Sequence, residues 1–134
     1  MLNIKFRYAV RLQNYFNTPP SSEIHTRVFE LYEVEGGEVS EWMYSLLIRT
    51  GDGRPNTPIS IDMFTGMTDS NGQDIYENDI VEYEHYDETG IVIWDEEDAA
   101  FIVEGNERWT HLFQDKRRWY RLTVVGNVHE GLVQ

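Results

Sequence analysis

Carboxylates are the residues in this chain with the most scope for chemistry. Asp95-Glu96-Glu97-Asp98 offers the oxygen ligands that a hard cation takes. Four adjacent acids point in different directions, however, and such a run also serves as a solvated turn. Asp69-Ser70-Asn71-Gly72 has the look of a calcium-loop start, but the spacing fails. Counted from Asp69, the sixth position is Asp74 instead of glycine and the twelfth is Ile80 instead of glutamate. His25, His85, His111 and His129 show no HxxxH or HExxH spacing, so no zinc site is predicted. His85 reads as a partly buried strand residue and not as a ligand. There is no cysteine, hence no thiolate chemistry and no disulfide framework. No G-x-S-x-G elbow, phosphate loop or dinucleotide fingerprint occurs. Acid–base catalysis needs two carboxylates held at the reacting atoms, and abundance does not supply placement. The expectation is a protein that is not an enzyme, with no catalytic residue, metal or cofactor.

The acids matter more for where they lie. Net charge is −13, and between Asp69 and Glu104 there are 13 acidic residues and no Lys or Arg. Outside that window the remaining acids match the 11 basic residues, so the whole imbalance sits in the central segment. Lys5, Arg7 and Arg11 precede it; Arg108, Lys116, Arg117, Arg118 and Arg121 follow it. Folding either brings these basic ends beside the acidic middle or leaves an acidic face to meet a basic partner. The candidate partner-binding residues are Glu82, Glu84, Asp87, Glu88, Asp95, Glu96, Glu97 and Asp98. Tyr83, Tyr86, Trp94 and Phe101 are a possible base-stacking platform, but such platforms track phosphates with basic neighbours. Among acids these aromatics read as core, and direct nucleic-acid binding is not expected. Lys116-Arg117-Arg118 reads as a strand edge kept soluble.

The elements that must position these groups are mostly strands. Ile80 to Tyr86 alternates, with Val81, Tyr83 and His85 on one side and Glu82 and Glu84 on the other. Ile91 to Trp94 follows a hairpin-length link, and Ala99 to Val103 makes a third strand, Phe101 and Val103 opposite Ile102. Val81, Ile93, Trp94 and Phe101 are expected to be hidden from water. Such a meander curls into a small barrel or packs on another sheet. Asn71-Gly72 marks a turn, formed either as a two-residue hairpin loop or as part of a wider one. Earlier, Ile4 to Leu12 alternates as a half-buried strand, and Asn17 to Ser22 is a loop broken by two prolines. Ile24 to Val34 is expected to be extended, with Gly36-Gly37 turning it into a second strand at Ser40 to Arg49. There Trp42, Tyr44, Leu46 and Ile48 would share a face. Thr50 to Pro58 is a loop and the best boundary, dividing an N-terminal β extension (1–58) from a core (59–134). Glu107 to Trp119 reads equally as helix or loop. Tyr120 to Val125 returns to strand before a bend at Gly126-Asn127.

One long stretch carries a resemblance. Phe64-Thr65-Gly66-Met67, Asp69, Gly72 and Ile75-Tyr76-Glu77-Asn78-Asp79-Ile80-Val81 resemble the signature of the YopX family of phage and prophage proteins. Gly90-Ile91-Val92-Ile93-Trp94-Asp95, Phe101, Val125-Gly126-Asn127-Val128-His129-Glu130 and the opening Ile4-Lys5-Phe6-Arg7 continue it. Residues 17–58 carry little of it. Met67 stands where the family usually has Leu, which keeps volume and apolarity. Asn78 stands where Gly is usual, and Asn is among the non-glycine residues that best accept left-handed backbone. The resemblance implies a mainly β fold with a small SH3-like barrel in the C-terminal part, and no catalytic residues.

No apolar run approaches the roughly 18 residues of a membrane helix, and the start lacks the apolar segment of a signal peptide. A cytoplasmic location is expected, in the host cell if the chain is phage-encoded. The sequence is thus read as a non-catalytic interaction or self-assembling module, with a homo-oligomer or a basic host protein as its partner. The alternative is an acidic decoy whose carboxylates mimic DNA phosphates for a host nucleic-acid-binding protein.

Overall fold

Alternating apolar residues dominate the chain, and strands dominate the structure. It is a computed structural model that describes residues 4–14, 21–50, 59–83, 88–105, 109–111 and 122–132. The fold is mainly β, with two antiparallel sheets, one of them a curled half-barrel, and two short helices. Contacts divide the chain into two compact units, Met1–Met63 and Phe64–Gln134.

The first unit is built on β1 (Lys5–Asn14) and β2 (Ser21–Glu30), paired antiparallel from Lys5↔Glu30 to Asn14↔Ser21. The first half of β3 (Ser60–Thr68) pairs with the other edge of β1, from Phe6↔Met63 to Ala9↔Ser60. On one face Val10, Leu12 and Phe29 are fully buried. They are covered by α2 (Glu38–Thr50), whose Leu46 packs on Val10 and Leu12 with Trp42 and Met43 beside them. Phe29 meets Tyr8 and Trp42 edge-on at 5.6 and 5.5 Å. The other face holds an ion pair between directly opposed strand residues. Arg7 donates from Nη2 and Nε to Asp62 Oδ2 at 2.9 and 3.1 Å, and Ser60 Oγ lies 2.6 Å from Asp62 Oδ1.

The expected strand at Ser40 to Arg49 is instead α2, and the extended segment expected to reach Val34 ends at Glu30. Residues 31–35 form α1 (Leu31–Glu35). Tyr44 is 65 % exposed whereas Leu46 is 2 % exposed, so the two do not share a face. Trp42, Met43 and Leu46 point to the sheet at helical spacing. Glu38 and Glu41 in the first turn suit the positive end of the helix dipole. Gly36-Gly37 does turn the chain, but between two helices, with Gly37 at φ 83°. Glu33 Oε1 accepts the Glu30 backbone N–H at 2.9 Å. That bond, and a hydrogen bond with the Glu38 carboxyl, hold Glu33 below the ordinary range, while the same pairing raises Glu38.

In the second unit, the last half of β3 pairs with β4 (Asp74–Tyr76). A six-stranded sheet follows: β5 (Asp79–Tyr83), β6 (Thr89–Asp95), β7 (Ala100–Glu104), β8 (Trp109–His111), β9 (Leu122–Asn127) and β10 (Gly131–Leu132), in the order β10–β9–β5–β6–β7–β8. The β5–β6–β7 meander is as expected. Its inner face buries Val81, Tyr83, Val92, Phe101 and Val103 with Ile75 and Leu122. Two expectations fail. Trp94 shares this face and touches Phe101 at 5.0 Å, but lies at the end of β6 and is 46 % exposed. Ile93, also expected to be hidden, lies on the opposite face of the sheet, across from Ile102, and is only half-buried. Of the 107–119 stretch, Trp109–His111 is strand; the rest, with Lys116-Arg117-Arg118, lies outside the described residues, as do 51–58, His85 and Tyr86.

Candidate functional site

The signature stretch is the first place to look for chemistry, and its polar residues are occupied with backbone. Thr65 donates from Oγ1 to the Ile75 carbonyl at 2.7 Å and accepts the Met67 N–H at 3.2 Å, across a register shift between β3 and β4 where Gly66 takes φ 87°. The Asn71-Gly72 turn is the wider of the two forms, with Thr68 opposite Asp74. Buried Asp69 organises it. Its Oδ1 accepts the N–H groups of Asn71 and Gln73, and its Oδ2 accepts that of Val124, all at 2.9 Å. Ser70 N–H reaches the Leu122 carbonyl at 2.9 Å, tying the same turn to β9. Asp79, also buried, accepts the Tyr76 N–H at 2.8 Å. Between them Asn78 takes the left-handed conformation at φ 69°, the geometry expected where the family has glycine. At the other end of the chain, Asn127 Oδ1 accepts the N–H groups of His129 and Glu130, and Val128 N–H reaches the Asn78 carbonyl. Sequence reading singled out these residues but did not see that their task is to cap turns; Asp69 at the head of an Asn-Gly turn was the available signal.

The candidate acidic face is distributed unevenly. Glu82 on β5 is exposed, and Glu96, Glu97 and Asp98 are exposed in the turn joining β6 and β7. Asp95 and Glu88 are half-buried; Glu84 and Asp87 lie outside the described residues. Glu104, at the end of β7, is exposed and was not among the candidates. Ala99 closes the β6–β7 turn at φ 51°, a conformation that costs a non-glycine residue about 1 kcal/mol. Among the described residues no three His, Asp or Glu side chains converge as metal ligands. Within the window Asp69 and Asp79 hold backbone, whereas Glu82, Glu96, Glu97, Asp98 and Glu104 present negative charge to solvent.

Beside those exposed acids the outer face of the sheet is apolar. Strand register places Ile80 opposite Ile91, Ile93 opposite Ile102, and Ile91 opposite Glu104. Ile80, Ile91 and Ile93, with Thr89, Gly90, Glu104 and Gly105, line an open groove of about 590 Å³. Gly90 is needed there, since a Cβ at this position would stand 2.6 Å from Val103 Cγ1 and 3.2 Å from the Glu104 carbonyl oxygen. Among the described residues no helix is long and apolar enough to cross a membrane.

No curated protein and no solved structure matches the chain significantly. A family model described as YopX protein matches residues 23–131. That span takes in the 23–58 stretch where the signature was faint, and it leaves out Ile4–Arg7. With most of its length matched and the signature seated at the turns that join its strands, the chain belongs to the YopX family.

Proposed function

We propose that this protein acts by binding and not by catalysis, as a phage or prophage protein-interaction module whose acidic surface meets a basic partner. The observation that carries the reading is the set of exposed acids Glu82, Glu96, Glu97, Asp98 and Glu104, in a window without Lys or Arg. Clustered surface charge of one sign raises encounter rates and selects partners of the opposite sign. The buried signature carboxylates support it, because Asp69 and Asp79 are occupied in capping backbone N–H groups of turns. The curled sheet, with β5 between β6 and β9 and a register shift at Ile80/Val81, is read as a small SH3-like barrel. The setting is the cytoplasm of the host cell.

Affinity capture with the immobilised chain at low and high salt tests the reading, using a Glu96→Gln/Glu97→Gln/Asp98→Asn variant as control. A basic protein held by the wild type at low salt, and by neither the variant nor the wild type at high salt, is expected. Capture indifferent to the three substitutions overturns the reading, as does turnover of a small ligand bound among these carboxylates. The second reading, an acidic DNA-mimic decoy, draws on the same exposed acids. It requires the captured protein to bind nucleic acid and to be displaced by duplex DNA. Recovery of the chain alone counts for self-association and against the decoy.

A further inference from the structure

The groove on the outer face of β5, β6 and β7 joins apolar surface to charge of one sign, and that pairing defines what it can hold. Ile91 is the centre: 38 % exposed, with Ile80 across on β5, Glu104 across on β7 and Ile93 two residues along its own strand. Neighbouring strands lie about 4.8 Å apart and residues two apart in a strand about 7 Å. An aliphatic or aromatic side chain of a few ångströms' breadth therefore covers the three isoleucines together. Gly105, without a side chain, stands at the end of β7 where a larger residue would narrow the groove. The polar handles on the lining are the Thr89 hydroxyl and the Glu104 carboxylate, and Glu82 lies opposite Thr89 beside them. Both ionisable groups are acids, and the chain from residue 69 to 104 contains no Lys or Arg. The volume is within the roughly 300–1,000 Å³ of ligand sites, but the site is an open channel instead of a closed pocket.

We propose that this groove docks an extended segment of a partner protein, with an apolar residue seated over Ile80, Ile91 and Ile93 and an adjacent Lys or Arg paired with Glu104 or Glu82. The inference rests on the binding reading above and names the place and chemistry of recognition. Charge complementarity selects the occupant: an acidic or purely apolar segment would bury Glu104 without an opposite charge, which is costly. A rigid apolar centre with a charged rim is also the usual build of a binding hot spot. The apolar contact supplies salt-resistant affinity, and the carboxylates supply selection.

The test uses the full chain with methyl-labelled isoleucines and three capped six-residue peptides: alternating Lys and Leu, alternating Lys and Ser, and alternating Glu and Leu. Anisotropy gives affinity and methyl spectra give location. The Lys–Leu peptide is expected to bind, to shift the methyls of Ile80, Ile91 and Ile93, and to exceed both other peptides by about tenfold or more. Ile91→Thr, which keeps β-branching, is expected to weaken it by a similar factor. If the Lys–Ser peptide binds as tightly and only Glu96→Gln/Glu97→Gln/Asp98→Asn weakens it, the groove is overturned while the acidic-surface reading stands. If no lysine peptide binds, both fail. Shifts confined to other isoleucines overturn the groove without recourse to a variant.

Discussion

Asp69 uses both carboxylate oxygens to hold three backbone N–H groups, two within its own turn and one on β9. Asp69→Ala removes both acceptor oxygens and all three hydrogen bonds inside a buried site, so about 3 kcal/mol of stability should disappear in urea titration, with Asp69→Asn falling between. Arg7 and Asp62 make the opposite case. Asp62→Ala leaves a guanidinium buried without its carboxylate and should cost about 3–5 kcal/mol, whereas the double substitution Arg7→Met/Asp62→Leu should cost far less, since two apolar side chains need no counter-charge. A double-mutant cycle by thermal unfolding measures the difference. Residue-scale reading of the sequence went furthest at Asn78, whose left-handed backbone follows from its place where the family has glycine. It went least far at Asp69 and Asp79, since one-dimensional charge counts do not show which carboxylates face backbone amides.

Elements were legible where their period met a single face. β1 and β5 announce themselves by alternation, β6 and β7 as short apolar runs, and the Val81, Tyr83, Val92, Val103 core follows. The segment at 40–49 was misread because Trp42 and Leu46 fit both a period of two and a helical turn of four. The deciding residues were Met43, packed inward, and Tyr44, left in water. Trp94 shows a second limit: side-chain parity fixes the face, but position along the strand fixes burial. Two predictions belong at this scale. Gly90→Ala should destabilise the sheet by about 1–3 kcal/mol through overpacking, and combining it with Val103→Ala should cost less than the sum of the two single changes, since the truncation removes the methyl that the new Cβ strikes. At the α1–α2 junction, Glu33 should titrate below and Glu38 above the ordinary glutamate value of about 4.3, checked by carboxyl carbon NMR. The signs differ. The Glu33 contribution is present at neutral pH and lost as pH falls through its lowered pKa. The Glu38 contribution is present in acid and lost as pH rises through its raised pKa. The junction is therefore best held between the two.

For the whole molecule the governing quantity is the net charge of −13 and its confinement to one window. The exposed acids of that window, five among the described residues, repel one another over a Debye length of about 30 Å at 0.01 M salt and about 8 Å at 0.15 M. The unfolding temperature should accordingly rise as simple salt is added over that range, followed by calorimetry at neutral pH. A fall would mean that attraction between the acidic window and the basic ends outweighs the repulsion. The fold class was readable in composition and alternation, since the apolar pattern is a property of the chain alone. A groove is not: Ile80, Ile91 and Ile93 come together only through strand register, which depends on pairings that one sequence does not display.

The bonds from Asp69 and Ser70 to β9 have a bearing on biogenesis. Val124 lies 55 residues downstream of the carboxylate that receives its N–H, and Leu122 is nearly as far from Ser70. A nascent chain leaving the ribosome thus presents this corner half-built, the Asp69 carboxylate and the Ser70 N–H in water, until β9 emerges. Closure of so long a contour is slow compared with local pairing, so β9 acts as the latch of synthesis, and a chain interrupted before Leu122 would lack both bonds.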